Sequence, residues 1–110
     1  MNFDDKTFEV KFTDECIEEM DKIYQYISNN LKEKNIAKRL MEEVSNRILN
    51  LSYSPEIYMK IGKVGKLKRE YYRMVIKNYI VLYTIDFEKK EVYISHMIYG
   101  RRNYLNNAKE

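Results

Sequence analysis

Cysteine, histidine, proline and glycine are all scarce in this chain of 110 residues. It has one cysteine, one histidine, one proline, three glycines and no tryptophan. The single cysteine, Cys16, excludes an internal disulfide and any metal site built from several cysteines. No run approaches the roughly 20 apolar residues that a membrane-spanning helix needs, and the first residues lack the basic and apolar regions of a signal peptide. We therefore expect a cytoplasmic protein that does not associate with a membrane.

The common sequence motifs of catalysis are missing as well. The chain has no glycine-rich phosphate loop, no HExxH motif and no nucleophile elbow. His96 lies in a predicted strand without an evident partner, which is typical of a half-buried, hydrogen-bonded histidine. Acidic neighbours oppose formation of a thiolate at Cys16. These features argue against a metal-based or histidine–carboxylate hydrolase, and we expect neither a metal nor a small-molecule cofactor.

What the chain does contain is typical of one globular domain. Hydrophobic residues make up 45% and charged residues 34% of the sequence, far from the composition of a disordered chain. A chain of this length is too short for two domains. We therefore predict a single domain over residues 1–110, with residues 102–110 as a candidate flexible tail.

Charge is distributed unevenly along the chain. Residues 1–30 carry eight acidic and three basic side chains, a net charge of −5, whereas residues 60–77 carry seven basic and one acidic, a net charge of +6. The tail over residues 101–110 adds +2. Such asymmetry predicts a positive surface that attracts a polyanion or an acidic protein segment. The alternative is a solvated lysine-rich loop that has no partner.

A strand and two helices are predicted in the first half of the chain. Apolar residues alternate in TFEVKFT, residues 7–13, as in a half-buried strand. A helical stripe follows, for which Thr13 or Asp14 is the predicted N-cap; its members are Ile17, Met20, Ile23, Tyr24, Ile27 and Leu31. A second stripe, with Asn35 as its predicted cap and Pro55 beyond its end, consists of Ala37, Leu40, Met41, Val44, Ile48 and Leu51. The short connection predicts an antiparallel helical hairpin.

The second half of the chain has the pattern of strands. Residues 57–66 hold two glycines and are interpreted as a basic loop. Three strands are then predicted, LKREYYRMVI, YIVLYTID and EVYISHMIY, with a tight turn at Lys77–Asn78 in which Asn78 tolerates a positive φ. The order β-α-α-β-β-β predicts an α+β fold in which a helical hairpin packs on an antiparallel sheet.

Cations and phenols gather in and around these strands. On the first of the three, Tyr72, Met74 and Ile76 form one alternating set, so Arg73 is expected to face away from part of the core. Guanidinium groups bind phosphate oxygens well, and a cationic cluster can stabilise the transition state of metal-free phosphodiester cleavage. The alternatives are that the tyrosines simply pack and the cations are solvated. The candidate set is Lys66, Lys68, Arg69, Arg73, Arg101, Arg102, Tyr83 and Tyr104.

The order of elements and three stretches of sequence resemble a known superfamily. A helical hairpin that ends in LSYSPEIY, then YYRMVIKNYIVLYTID, and then VYISHMIYGRRNY resembles the RelE/ParE superfamily of bacterial toxins from type II toxin–antitoxin modules. The resemblance covers about residues 8–105. It implies a growth-arresting toxin that is neutralised by a cognate antitoxin, whose disordered and acidic segment would fold onto the hairpin or the sheet.

Two modes of action are known in this superfamily. RelE-like members bind the ribosome and cleave mRNA without a metal, and ParE-like members inhibit DNA gyrase without being enzymes. The RelE catalytic pattern implies roles for Arg73, Arg102 and Tyr104, but Val75 and Ile80 occupy two of its basic positions. The long hairpin and the Gly-Arg ending resemble the ParE members, although these often have histidine at the position of Tyr99.

Three functions therefore remain open at this point. The chain is a ribosome-dependent endoribonuclease, a gyrase inhibitor or an inactive relative that only binds its partner. In the first two cases, the residues expected to bind the RNA or the target are Lys66, Lys68, Arg69, Arg101 and Tyr83.

Overall fold

The computed structural model describes residues 7–63 and 70–100. The tail predicted over residues 102–110 lies outside them. None of the helices within the described ranges is long and apolar enough to cross a membrane. The elements, in chain order, are β1 (Glu9–Phe12), α1 (Asp14–Gln25), a π-helical segment (Tyr26–Asn30), α2 (Lys34–Asn50), β2 (Met59–Lys63), β3 (Glu70–Ile76), β4 (Tyr79–Asp86) and β5 (Glu91–Tyr99).

The described strands form one five-stranded sheet with the order β1-β5-β4-β3-β2. The meander of β3, β4 and β5 is antiparallel, which confirms the predicted α+β fold with the last three strands side by side. The sheet is mixed rather than wholly antiparallel, since β1 runs parallel to β5. The chain between β1 and β5, which contains both helices and the other three strands, provides the long connection that a parallel pair requires.

Strand β2 corrects the prediction of a loop over residues 57–66, because residues 59–63 pair with β3. The pairing shifts register between Lys60 and Gly62, and Gly62 has a φ of +75°. A bulge at a glycine interrupts the alternation of side chains on which sequence-based recognition of a strand depends. Lys66 and its neighbours up to residue 69 lie outside the described residues.

Helix α1 begins at its predicted cap, and four of its six predicted stripe residues, Met20, Ile23, Tyr24 and Ile27, lie in the main core or pack against it. The hydroxyl of Thr13 accepts the N–H of Cys16 at 3.1 Å, and acidic residues fill the first turn, where the helix dipole favours them. Cys16 is fully buried, whereas Ile17 and Leu31 are about half exposed. Ile17 and Leu31 are therefore the two members of the predicted stripe that lie outside the core. The helix widens into the π-helical segment after Gln25, which changes the direction of the side chains that follow.

Helix α2 has the predicted buried face: Ala37, Leu40, Val44 and Ile48 are buried, and so is Leu51, which directly follows the helix. Asn35 is not its cap, because the helix begins at Lys34 and its N-cap position is Glu33.

The turn between β3 and β4 also differs from the prediction in one detail. Lys77, not Asn78, has the positive φ, at 54°.

Side chains and backbone groups of the helices bind the strand edges where pairing stops. Pairing of β1 with β5 ends at Phe12 and Ile94. Beyond this point Thr13 donates its N–H to the carbonyl of Ile94 at 3.0 Å and its hydroxyl to that of Ser95 at 3.0 Å. On the other side, Arg47 of α2 donates Nη1 to the carbonyl of Val75 at 3.0 Å, just past the last β2–β3 pair. These bonds fix both helices on the sheet.

The described core has two parts, one on each face of the sheet. The main cluster lies between the sheet and the helices and includes the predicted set Tyr72, Met74 and Ile76. The smaller cluster lies on the face of the sheet away from α1 and α2, here called the helix-free face because none of the described helices packs on it. It consists of Tyr71, Ile80 and Leu82, with Ile61, Val75 and Ile98 packed against them.

Candidate functional site

Arg73 lies on the helix-free face of the sheet, as the alternation along β3 predicts. Its strand neighbour Met74 is fully buried in the cluster under the helices, so Arg73 points the opposite way. Arg73 pairs with Leu82 on β4, and Leu82 pairs with His96 on β5. Arg73 and His96 are thus the outer members of a row that crosses three strands on one face.

Val75 and Ile80 lie directly opposite each other in the β3–β4 ladder. Ile80 is fully buried, and Val75 packs against it within the smaller cluster. These are the two positions at which the resemblance to RelE nucleases calls for basic residues. The structure places the two positions side by side, and both side chains are apolar.

Tyr83, a predicted target-binding residue, is fully buried. Its hydroxyl donates to the carbonyl of Pro55 at 2.7 Å, and its ring stacks on that of Tyr72 at 5.3 Å between centroids. Burial raises the pKa of the Tyr83 phenol above its ordinary value. The side chain therefore joins β4 to the segment after α2, and its observed role is in packing.

The other predicted site residues lie outside the described part of the chain. These are Lys66, Lys68, Arg69, Arg101, Arg102 and Tyr104. Of the candidate set, the structure therefore locates Arg73 and Tyr83, on opposite faces of the sheet.

His96 has a partner that sequence reasoning missed. Its Nδ1 lies 3.2 Å from a carboxylate oxygen of Glu19 on α1, and the same oxygen accepts the N–H of Met97 at 3.2 Å. The hydrogen bond with Glu19 raises the pKa of the imidazole above its ordinary value. The prediction of a half-buried, hydrogen-bonded histidine is confirmed. No local pattern relates two residues 77 positions apart, so the pair could be found only in the fold.

The surroundings of Cys16 oppose formation of a thiolate, as its acidic sequence neighbours predicted. Burial, reinforced by the charge of Glu19, raises the pKa of its thiol to about 12. Among residues 7–63 and 70–100, no group of three or more histidine, cysteine or acidic side chains is arranged to hold a metal ion.

An apolar groove, here called the hairpin-end groove, opens where the turn between the helices meets the β3–β4 turn and the end of β5. Its volume is about 680 Å³. Four of its large apolar side chains are about half exposed or more, namely Tyr26 (53%), Leu31 (51%), Ile36 (49%) and Tyr99 (66%). Exposed apolar residues that cluster in this way are typical of interaction surfaces. Sequence reasoning missed the groove because it placed Leu31 in the apolar stripe of the first helix, whereas Leu31 lines the groove.

Aromatic side chains and lysines border the hairpin-end groove. The rings of Tyr79 and Tyr99 meet edge to face at 5.3 Å. Burial raises the pKa of Tyr79, and the nearby phenols of Tyr99 and Tyr26 add to the effect. Lys22 and Lys77 lie at its border. The arrangement suits a partner that presents apolar side chains in the centre and anionic groups at the edge.

Comparison with known protein families gives a match over most of the chain. The family model described as ParE toxin of type II toxin–antitoxin system, parDE, matches residues 10–104. The chain belongs to the ParE toxin family. No curated protein sequence matches it significantly.

Solved structures of toxin–antitoxin systems have the same fold as this ParE-family chain. The chromosomal ParDE system of P. aeruginosa matches with a TM-score of 0.68 at 12% identity, covering 87% of this chain and 99% of that one. The RelBE2 complex of Mycobacterium tuberculosis matches with a TM-score of 0.62 at 19% identity, covering 84% and 98%. The RelE–RelB complex of Pyrococcus horikoshii OT3 matches with a TM-score of 0.54 at 20% identity, covering 87% and 98%.

Proposed function

We propose that this toxin arrests growth by binding DNA gyrase, without catalysing a reaction, and that a cognate antitoxin neutralises it. The ParE family model, which spans residues 10–104, supports this mode over mRNA cleavage. The complexes of similar fold, which are named as toxin–antitoxin systems, support the antitoxin as a partner.

The observation that carries the proposal is the apolar pair of Val75 and Ile80 on the helix-free face. Phosphodiester cleavage without a metal requires cations around the pentavalent phosphorus, where negative charge increases in the transition state. An isopropyl and a sec-butyl group supply no positive charge and no hydrogen bond. Arg73 would then have to act without the two cations that complete the RelE pattern in the described strands.

A supercoiling assay with purified gyrase tests the proposal directly. We expect the purified chain to inhibit ATP-dependent supercoiling of relaxed plasmid and, when induced in cells, to cause double-strand DNA breaks and an SOS response. Addition of the cognate antitoxin should restore supercoiling. Full gyrase activity in the presence of an excess of folded toxin, together with growth arrest in cells, would overturn the gyrase target.

Ribosome-dependent cleavage of mRNA is the second candidate, and the row formed by Arg73, Leu82 and His96 favours it. Here a guanidinium on β3 and an imidazole with a raised pKa on β5 lie on one face of the sheet, on either side of β4, and such groups are able to bind phosphate and move a proton. This mode predicts site-specific cuts in translated mRNA. It also predicts that Arg102→Ala abolishes toxicity while the protein stays folded. If growth is unaffected by the induced toxin, the third reading, an inactive partner-binding relative, holds.

A further inference from the structure

A polar cavity, here called the turn cavity, lies where the π-helical segment turns into α2. Its volume is about 440 Å³, which is in the range of sites for small ligands. The residues that line it are all polar or charged: Ser28, Asn29, Lys32, Glu33, Lys34 and Asn35. Such a lining suits a small hydrophilic ligand rather than an apolar side chain.

The first turn of α2 supplies backbone donors to the turn cavity. The first hydrogen bond of the helix runs from the N–H of Ala37 to the carbonyl of Glu33 at 3.0 Å. The N–H groups of Lys34, Asn35 and Ile36 precede it and therefore lack a partner within the helix. Glu33, at the N-cap position, forms no capping bond through its side chain, and the first turn contains no acidic residue. Open amides at the positive end of the helix dipole favour an anion.

The hydroxyl of Ser28 is an independent indication of a ligand. Ser28 is only 6% exposed, yet its hydroxyl forms no hydrogen bond with any residue in the ranges 7–63 and 70–100. Every fully buried side-chain nitrogen or oxygen in those ranges has a partner. The unpaired hydroxyl must therefore retain access to the cavity that Ser28 lines. Since buried polar groups are normally hydrogen-bonded, this donor is available for a bound oxyanion.

The charges at the turn cavity point to the same chemistry. Lys32 and Lys34 stand on either side of Glu33, so the lining residues carry a net positive charge. A phosphate group presents more acceptor oxygens and more negative charge than a carboxylate, and it matches amides, a hydroxyl and ammonium groups together. The carboxylate of Glu33 opposes such a ligand and sets a limit on its affinity.

We propose that the turn cavity binds a phosphate group through the amides of Lys34 and Asn35, the hydroxyl of Ser28 and the ammonium groups of Lys32 and Lys34. The site is independent of the proposed function, because neither the antitoxin nor gyrase takes part in it. Inorganic phosphate and a small phosphate monoester both present this group, and their affinities distinguish the two sources.

Titration of the isotope-labelled full chain with inorganic phosphate, followed by the NMR resonances of the backbone amides, tests the proposal. At constant ionic strength, the resonances of Lys34 and Asn35 should shift and saturate, whereas added chloride should not shift them. AMP should shift the same resonances, and adenosine should not. Tighter binding of AMP than of inorganic phosphate identifies a monoester as the ligand, and equal binding identifies phosphate itself.

Ser28→Ala separates binding from folding. It should weaken phosphate binding by about threefold to tenfold, the effect of one lost hydrogen bond. It should leave stability in phosphate-free buffer unchanged, because the hydroxyl has no partner in the described structure. Ser45→Ala, at an exposed position of α2 outside the turn cavity, should change neither quantity.

Two further pairs of variants test the charges. Lys34→Gln should weaken phosphate binding by about tenfold, whereas Lys38→Gln, one turn later on α2 and outside the cavity, should leave it unchanged. Glu33→Gln should strengthen binding several-fold because it removes a like charge, and Glu42→Gln, exposed on the same helix, should not. Circular dichroism should show all four variants folded, since each position is exposed.

Three results would overturn the proposal. The first is a response to phosphate that is spread over surface lysines and leaves the amides of Lys34 and Asn35 unshifted. The second is an unchanged affinity of both Ser28→Ala and Lys34→Gln for inorganic phosphate. The third is binding of adenosine as tight as that of AMP, which would assign the response to the nucleoside.

Discussion

The carboxylate of Glu19 lies 3.2 Å from Nδ1 of His96, across the junction between α1 and β5. The same carboxylate accepts the backbone N–H of Met97. Together with the bonds of Thr13 to Ile94 and Ser95, it continues the edge of β5 after β1 has ended. Glu19 thus holds α1 against the sheet through two partners, the imidazole of His96, which titrates, and the backbone N–H of Met97, which does not.

The Glu19–His96 pair should make stability depend on pH. Because the pKa of His96 is raised in the folded state, folding favours the protonated ring. The stabilisation is fully present below the ordinary value of 6.5 and is lost as the pH rises through the higher folded value. Glu19→Gln should therefore lower the free energy of unfolding by about 0.5–1 kcal/mol near pH 6, and by much less near pH 9.

Urea unfolding at several pH values measures this effect. The amide oxygen of glutamine can still accept the Met97 N–H, so the variant removes mainly the charge. Glu18→Gln, at the exposed neighbouring position, is the control and should show no such dependence. A loss of stability in Glu19→Gln that is the same at pH 6 and pH 9 would contradict the role given to the imidazolium.

The buried hydroxyl of Tyr83 offers a second test of the fold. Tyr83→Phe would leave the carbonyl of Pro55 without the bond that it now accepts at 2.7 Å. The expected loss is about 1–3 kcal/mol of unfolding free energy, the usual effect of leaving one buried polar group unsatisfied. Tyr53→Phe, at a position 72% exposed, should change stability by less than about 0.5 kcal/mol. Equal stabilities of the two variants would show that water replaces the lost hydroxyl.

The sequence predicted best those elements whose determinants lie close together along the chain. Strands β4 and β5 occupy the predicted residues 79–86 and 91–99, because their alternation is regular and short turns bound both. The buried stripe of α2 was also predicted, since a regular 3.6-residue period suffices to define it. In both cases neighbouring residues along the chain contain the necessary information.

The elements that sequence reasoning missed have causes outside their own segment. Strand β2 is interrupted by the bulge at Gly62 and depends on β3 for its pairing. The π-helical segment at Tyr26 shifts the helical phase, so that Leu31 faces the groove instead of the core. The candidate site shows the same division. The outward direction of Arg73 followed from alternation, whereas the burial of Tyr83 depends on Pro55, 28 positions earlier in the chain.

Arg47 should contribute to stability through the strand edge rather than through its ion pair alone. Its Nη1 donates to the carbonyl of Val75 at 3.0 Å, and Nη2 lies 2.7 Å from a carboxylate oxygen of Glu43. Both side chains of that pair are more than a third exposed, so the pair itself contributes little. Arg47→Ala should cost about 1–2 kcal/mol, mostly from the lost bond to the backbone. Two control variants should lower the free energy of unfolding much less, as measured by thermal or urea unfolding. They are Arg39→Ala, at an exposed position of the same helix, and Glu43→Gln.

The thiol of Cys16 should resist chemical modification while the protein is folded. Its pKa is raised to about 12 by burial and by Glu19, so the thiol of the folded protein is almost wholly protonated at pH 8, and the thiolate is the reactive form. We expect labelling by iodoacetamide to be slow in buffer and to reach the rate of a free thiol in concentrated urea, as followed by mass spectrometry. If Cys16 becomes exposed only on global unfolding, the rate of labelling depends on the free energy of unfolding. Glu19→Gln should then accelerate labelling near pH 6 by the factor that corresponds to its loss of stability. Rapid labelling of the folded wild-type chain would show instead that the first turn of α1 opens locally, independently of the rest of the fold.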